Sequence, residues 1–183
     1  MTVAPKKPGP RHARLAEMLR VDHAGEYGAV AIYRGQRAVF DRLAHKSGIA
    51  EEIADMEAGE VEHLKTFDRL LAERKIRPTA LAPFWNAAGF GLGAVTALMG
   101  EKAAMAATAA VEDVIEKHYA EQIDELSEDE PALAETVRQF REDELGHKAT
   151  AEAAGAHEAP GYNLLSAVIG AGCRAAIRIA EKI

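Results

Sequence analysis

Two copies of Glu-x-x-His carry the chemistry that this sequence advertises: Glu60 with His63, and Glu144 with His147. Each follows a lone glutamate at nearly the same pitch, Glu26 lying 34 positions before Glu60 and Glu112 lying 32 before Glu144. On an α-helix, residues i and i+3 share a face, so the carboxylate and imidazole of each motif can reach one metal ion. Four carboxylates and two imidazoles are the ligand set of a carboxylate-bridged dinuclear site inside a four-helix bundle. Two divalent cations would neutralise the four carboxylates beside neutral imidazoles, so the loaded group can be buried without uncompensated charge.

A glutamate on a helix is ordinarily a solvated surface residue, and a single Glu-x-x-His carries little information. Two copies at matched pitch, each with its own preceding glutamate, carry far more. The repeat also extends past the ligands: Tyr33 follows Glu26 by seven residues and Tyr119 follows Glu112 by seven, about two turns along the same face. Tyr119 is therefore a candidate hydrogen-bonding or proton-coupled partner of the site, with a plain core aromatic as the alternative. His118 points away from the Glu112 face. His23 is read as a non-ligand, and Asp22, Glu57, Glu116 and Asp143 as residues able to orient ligating imidazoles, surface placement being the alternative for each. Hard carboxylate-rich ligands suit iron and manganese alike; zinc is less well served, since its structural sites favour four compact ligands, often with sulfur.

The elements that position these residues read as helices. Aromatics are 5% of the chain against 48% hydrophobic residues overall, β-branched alternation is scarce, and the prolines fall between periodic segments. The fold class expected is all-α: a ferritin-like four-helix bundle with two additional apolar or amphipathic helices. The first helix is expected over residues 14–45, with Ser47 and Gly48 as the break, and the second over 49–74. A third ligand-bearing helix runs from Glu101 to about residue 126, and Pro131 opens a fourth to about 154. The long connection between the second and third makes the topology a crossover rather than simple up-and-down. At 183 residues a single domain over 1–183 is expected. Residues 1–13 are read as a disordered tail, because the proline-rich basic start has no apolar run of a secretory signal.

The net charge of −7 and pI near 5.5 argue against a nucleic-acid partner, which requires a basic surplus to displace counterions. Cys173 stands alone, which excludes an intrachain disulfide or thiolate cluster and fits a reducing compartment. Residues 84–100, FWNAAGFGLGAVTALMG, hold no charge and four glycines. They fall short of the roughly 20 apolar residues of a spanning helix. Contact with a membrane surface is expected instead, through residues 81–99 with Phe84, Trp85 and Phe90. The terminal helix adds Leu164, Leu165, Val168, Ile169, Ile177 and Ile179 beside Arg174, Arg178 and Lys182. Packing on the bundle or on a second subunit is the alternative.

The stretches RVDHAGEYGA (20–29), EVEHL (60–64), VEDVIEKHY (111–119) and DELGH (143–147) together resemble the 5-demethoxyubiquinone hydroxylase family, di-iron monooxygenases of ubiquinone biosynthesis. The resemblance runs from about residue 15 to the end. It implies a peripheral membrane oxidoreductase hydroxylating the ring of a polyprenylated 3-methyl-6-methoxy-1,4-benzoquinol (demethoxyubiquinol) with O2, its electrons coming from NAD(P)H directly or indirectly. Two Fe ions would be held by Glu26, Glu60, His63, Glu112, Glu144 and His147, with His118 and Tyr119 relaying electrons or protons. It also implies partners among ubiquinone-biosynthesis proteins or a homo-oligomer, and, for a chain without a presequence, the cytoplasmic face of a bacterial inner membrane. Other readings stay open on the ligands alone: a ferritin-like ferroxidase or iron-binding protein, a manganese catalase, or a non-enzymatic quinone-binding module. A rubrerythrin-like peroxidase lacks its Cys-x-x-Cys.

Overall fold

The computed structural model describes residues 10–43 and 47–182. These form six α-helices, α1 (Pro10–Phe40), α2 (Ser47–Arg74), α3 (Ala82–Leu98), α4 (Glu101–Leu126), α5 (Pro131–Ala153) and α6 (Tyr162–Ala180), with a short 3-10 turn at Ala156–Glu158. No strand occurs among the described residues. The all-α expectation holds, and α4 and α5 begin and end within a residue of where the sequence places them.

Helices α1, α2, α4 and α5 make the bundle, and their cross-contacts fix its directions. Along α1 and α2, Tyr33 meets Met56 while His23 meets Asp68, so the pair is antiparallel. Between α4 and α5, Asp113 meets Lys148 and Glu116 meets Arg141; between α2 and α5, His63 meets Asp143 and Arg74 meets Glu130. Both pairs are again antiparallel. Across α1 and α4, Gln36 meets Thr108 and Glu26 meets Tyr119. Helices α2 and α4 therefore run the same way, and the connection between them must return the chain to its starting end. That crossover is α3.

Helix α3 lies parallel to α1 at backbone contact. A Cβ on Gly93 or Gly35 would overlap the carbonyl oxygens of Ile32 and Phe90, and one on Gly89 would come within 2.7 Å of the Gly28 oxygen. Glycine is needed at these three positions for close approach rather than for backbone conformation. Helix α4 reaches the centre through alanine, the strongest helix former: Ala103, Ala104, Ala106, Ala107, Ala109 and Ala110 are all buried. The turn between α3 and α4 needs Gly100, whose φ of 115° is open only to glycine without strain.

Three boundaries differ from the sequence reading. Helix α1 begins at Pro10, so residues 10–13 of the expected disordered tail are helical; residues 1–9 lie outside the described residues. Proline suits a first helical turn, and the Arg14 guanidinium grips Glu125 of α4 at 3.0 and 2.9 Å, fastening that end of α1. At its other end α1 stops at Phe40 instead of continuing to His45, which lies outside the described residues. The Leu43 N–H bonds the Phe40 carbonyl at 2.9 Å in a tight turn. Ser47 and Gly48 open α2 instead of breaking α1, a position serine and glycine also favour.

The two extra helices each show one face to solvent. Phe84, Phe90, Val95 and Leu98 of α3 and Leu164, Val168 and Ile179 of α6 are exposed. Trp85, Ile169 and Ile177 turn inward against the bundle. Helix α6, with 19 residues at mean hydropathy 1.3, is long and apolar enough to cross a membrane by length and composition.

Candidate metal centre

Six side chains converge at mid-bundle. Glu26 comes from α1, Glu60 and His63 from α2, Glu112 from α4, and Glu144 and His147 from α5, with each glutamate at most 1% exposed. They fall into two ligand groups, Glu26–Glu60–His63–Glu144 and Glu60–Glu112–Glu144–His147, within each of which the donor atoms lie within 4.8 Å of one another. Glu60 and Glu144 belong to both. The geometry would divide the roles: the glutamate of each Glu-x-x-His is common to both groups, and each lone glutamate belongs to one group with a single histidine.

Buried polar atoms ordinarily find partners, and here they do not. Glu26 Oε2, Glu112 Oε2, both carboxylate oxygens of Glu60 and of Glu144, and the Nδ1 atoms of His63 and His147 make no well-aligned hydrogen bond; they face one another instead, His147 Nδ1 lying 2.8 Å from Glu60 Oε1 and His63 Nδ1 3.3 Å from Glu144 Oε1. The other oxygen of each lone glutamate is occupied: Tyr33 donates to Glu112 Oε1 at 2.7 Å, and Tyr119 donates to Glu26 Oε1. Each tyrosine crosses to the other half's glutamate and leaves Oε2 free to face the centre. Two hard cations fit this donor set, because they satisfy the orphaned atoms and the charge together.

Without cations the cluster leans on protons. Burial, reinforced by Glu60, raises the Glu26 carboxyl well above its ordinary value; burial and Glu144 do the same to Glu112. Burial opposes the charged imidazolium of His63, but its contacts to Glu144, Glu26 and Glu60 outweigh that and raise it. His147 follows the same balance, to about 9. Glu60 alone is held low, since His147 and His63 overcome its desolvation.

The surroundings of the two histidines differ. Asp143 faces His63 Nε2 at 3.1 Å, and Phe140 stacks on that ring at 3.9 Å. At the equivalent place beside His147 stands Gly59, whose absent Cβ would meet His147 Nε2 at 3.3 Å. Of the four acids considered for orienting imidazoles, only Asp143 faces one of the two Glu-x-x-His imidazoles. Glu57 pairs with Arg34 and Arg37, Glu116 with Arg141, and Asp22 is buried against Gln122. His23 bonds Asp68 at 2.9 Å outside both ligand groups, as its non-ligand reading requires. Tyr119 reaches the centre through Glu26; His118 stands apart from it, 2.9 Å from Gln122. The sequence reading missed Gln36 and Gln122, although they repeat at the same 86-residue separation as the lone glutamates and the tyrosines.

A cavity of about 440 Å³ opens between α1, α3, α4 and α6. Gly25 and Ala29 flank Glu26 on its wall, and Val111 and Ile115 do so near Glu112. Phe84 and Val168, both exposed, form part of the same lining, so an almost wholly apolar cavity runs from the outer faces of α3 and α6 to Gly25 and Val111, the sequence neighbours of Glu26 and Glu112. A Cβ on Gly25, Gly28 or Gly172 would meet nothing within 4 Å. Unlike Gly93, these glycines hold space open rather than permit contact.

A crossover four-helix bundle that brings together four glutamates and two histidines as paired Glu and Glu-x-x-His sets is a ferritin-like protein with a side-chain cluster that could hold metal. Within that class, residues 13–180 match the family model described as "Ubiquinone biosynthesis protein COQ7", and the chain belongs to this family. It is 48% identical to the 3-demethoxyubiquinol 3-hydroxylase of Rhodospirillum rubrum over 179 residues, covering 98% of this chain and 82% of that protein. It is 46% identical to the mitochondrial NADPH-dependent 3-demethoxyubiquinone 3-hydroxylase of Mus musculus, covering 93% and 78%. Against the mitochondrial 5-demethoxyubiquinone hydroxylase of Saccharomyces cerevisiae the identity is 40%, covering 93% and 79%.

Proposed function

We propose that this chain hydroxylates the ring of a polyprenylated demethoxyubiquinol, with O2 as co-substrate and electrons from NAD(P)H directly or indirectly. The observation that supports the reading is that α1 and α4 carry two dissimilar features: ligands of a buried six-residue cluster, and a wall of an apolar cavity that includes Gly25 and Val111, next in sequence to Glu26 and Glu112. Glu26, Glu60, His63, Glu112, Glu144 and His147 would hold iron, which would supply the dioxygen-activating redox chemistry.

The chain's own residues do the rest. Tyr33 and Tyr119 hold the Oε1 atoms of Glu112 and Glu26 so that the Oε2 atoms stay aimed inward. Gly25 and Gly28 leave room for a flat ring against α1, while Leu92, Ile169 and Ile177 keep water away from it. Phe84 and Val168 receive the prenyl tail. Tyr119 and His118 carry protons on the Glu26 side. A ferroxidase has no use for a cavity of this kind, and family membership weighs against that alternative.

We read the protein as peripheral on a membrane, at the cytoplasmic face of a bacterial inner membrane. The exposed apolar residues of α3 and α6 support this, with Arg174 and Arg178 exposed on α6. Although α6 meets the length of a spanning helix, its Ile169 and Gly170 are buried against the bundle, which favours lying in the interface. Other ubiquinone-biosynthesis proteins or a second copy of the chain are the partners this reading anticipates.

The test is quinone analysis of a host lacking its own demethoxyubiquinol hydroxylase. Ubiquinone restored by the wild type and not by Glu60→Ala supports the reaction and its dependence on the centre. Accumulated demethoxy-quinone beside well-expressed, iron-loaded wild type would sink it.

A further inference from the structure

The internal repeat extends to a buried crosslink at each end of the α1–α4 pair. Gln36 and Gln122 are both at most 1% exposed, and each sends its amide across to the other helix. Gln36 Nε2 donates to Thr108 Oγ1 at 3.2 Å, and Gln122 Nε2 donates to Asp22 Oδ1 at 2.6 Å. Asp22 and Thr108 are themselves 86 positions apart, so the two crosslinks are equivalents of each other. The second bond of each amide also differs: Gln36 donates to the Ala104 carbonyl at 3.2 Å, whereas Gln122 lies 2.9 Å from His118 Nε2. The residue equivalent to His118 is Ile32.

One end therefore fastens the same two helices with neutral groups, and the other introduces a carboxylate and an imidazole. Packing does not require them, since the Gln36 end manages without. The donor inventory then fixes a proton. An ionised carboxylate only accepts, so Asp22 turns the NH2 of Gln122 toward itself. The remaining hydrogen of that NH2 points at His118 Nε2, which must offer a lone pair.

We infer that Asp22 is a positioning residue which, through the Gln122 amide, holds His118 as the neutral tautomer with its proton on Nδ1. Protonating Asp22 reverses the lock: the carboxyl can donate to Gln122 Oε1, an atom with no partner at present, and the turned amide then accepts from His118 Nε2–H. The tautomer of His118 follows the proton on Asp22. Burial, partly offset by the Gln122 hydrogen bond, lifts Asp22 to about 8, and burial lowers His118, so both orientations are accessible near neutrality. The charged groups around the pair are Arg14 from α1, Glu121 and Glu125 on α4, and Glu181 at the end of α6.

The tautomer assignment stands on the Asp22–Gln122–His118 geometry with Asp22 ionised; its catalytic consequence rests on the proposed reaction, in which this imidazole carries a proton. Two measurements separate them. Ring 15N NMR of the full chain loaded with diamagnetic zinc, with His118→Gln identifying the resonance, is expected to show a lone-pair Nε2 above about pH 8 in the wild type. Asp22→Thr, which copies the Gln36 end, and Asp22→Asn are expected to give a mixture or an Nε2–H. In the iron-loaded enzyme, Asp22→Asn is expected to lower kcat about tenfold with KM unchanged and to shift the pH profile. An Nε2–H tautomer in the wild type at that pH, or a His118 signal unmoved in both variants, overturns the inference. Wild type that shows the expected tautomer but turns over no quinol overturns the proposed reaction and leaves the tautomer lock supported.

Discussion

The two halves of the repeat supply the same ligands and differ in what stands behind them. His63 is backed by Asp143 and capped by Phe140. His147 has Gly59 at the equivalent position and is the more exposed side chain, 15% against 5%. At the ends of α1 and α4, the Gln36 crosslink is neutral and the Gln122 crosslink carries Asp22 and His118. The shared features, Glu, Glu-x-x-His, Tyr and Gln, are those that build one centre between two hairpins. The unshared ones give each histidine its own environment: one imidazole is backed by a carboxylate, and the other is more open to solvent.

The comparison breaks most completely at the shared glutamates. Because Glu60 and Glu144 belong to both candidate ligand groups, Glu60→Ala is expected to abolish binding of both ions, whereas Glu112→Ala is expected to weaken one position more than the other; metal content per chain distinguishes them. Activity in Glu60→Ala should fall to background, a loss of at least about a thousandfold if the ions supply the chemistry.

The glycines break it next. Gly93→Ala forces a methyl into the Ile32 carbonyl and should cost about 1–3 kcal/mol, the usual range for overpacking. Gly28→Leu, projecting into the cavity, should leave the melting temperature equal or higher, since glycine in a helix costs about 1 kcal/mol. Its KM for a short-chain quinol should nevertheless rise steeply. Fluorescence of Trp85, the only tryptophan and part of the same wall, reads that binding directly.

Asp143→Asn should weaken metal binding about 10–100-fold, the usual effect of losing a group behind a ligating imidazole, and Gly59→Asp tests whether the second half can be given the same clamp. Tyr119→Phe should cost about 1–3 kcal/mol in the metal-free protein, where it strands a buried carboxylate oxygen.

The smallest effect concerns pH. Glu26, Glu112, His63 and His147 have raised values in the fold, so their contribution is present below their ordinary values and is lost as pH rises through the raised ones. Glu60, lowered, is already ionised above its ordinary 4.5 and adds no slope there. The melting temperature of the metal-free protein should therefore fall between about pH 5 and 8. Loading with divalent metal should remove the cluster's share of that slope, because cations replace its protons, and leave the share of Asp22, which burial lifts to about 8.

The six converging side chains were legible because a helical motif repeated at fixed pitch constrains both the face and the depth of each residue. Tyr119 was legible as an inward residue for the same reason, but its partner was not. That it bonds Glu26 rather than Glu112 depends on how α1 crosses α4, which no local spacing encodes. Gln36 and Gln122 obey the same separation and were readable in principle; a neutral amide simply carries no chemical flag. Asp22 looked like a surface acid because burying a carboxylate is costly, and only the crosslink to Gln122 explains its place. The helix ends at Phe40 and Ser47 were misjudged because serine and glycine both open and close helices. The cavity escaped because a glycine kept for empty space and a glycine kept for contact have the same letter.

The most direct test of the shared centre is the iron content and magnetic coupling of purified wild type beside Glu60→Ala. Two spin-coupled irons per wild-type chain, and none retained in a folded Glu60→Ala protein, are the predicted result. A single iron per chain, or two that behave independently and survive the loss of Glu60, would contradict the account.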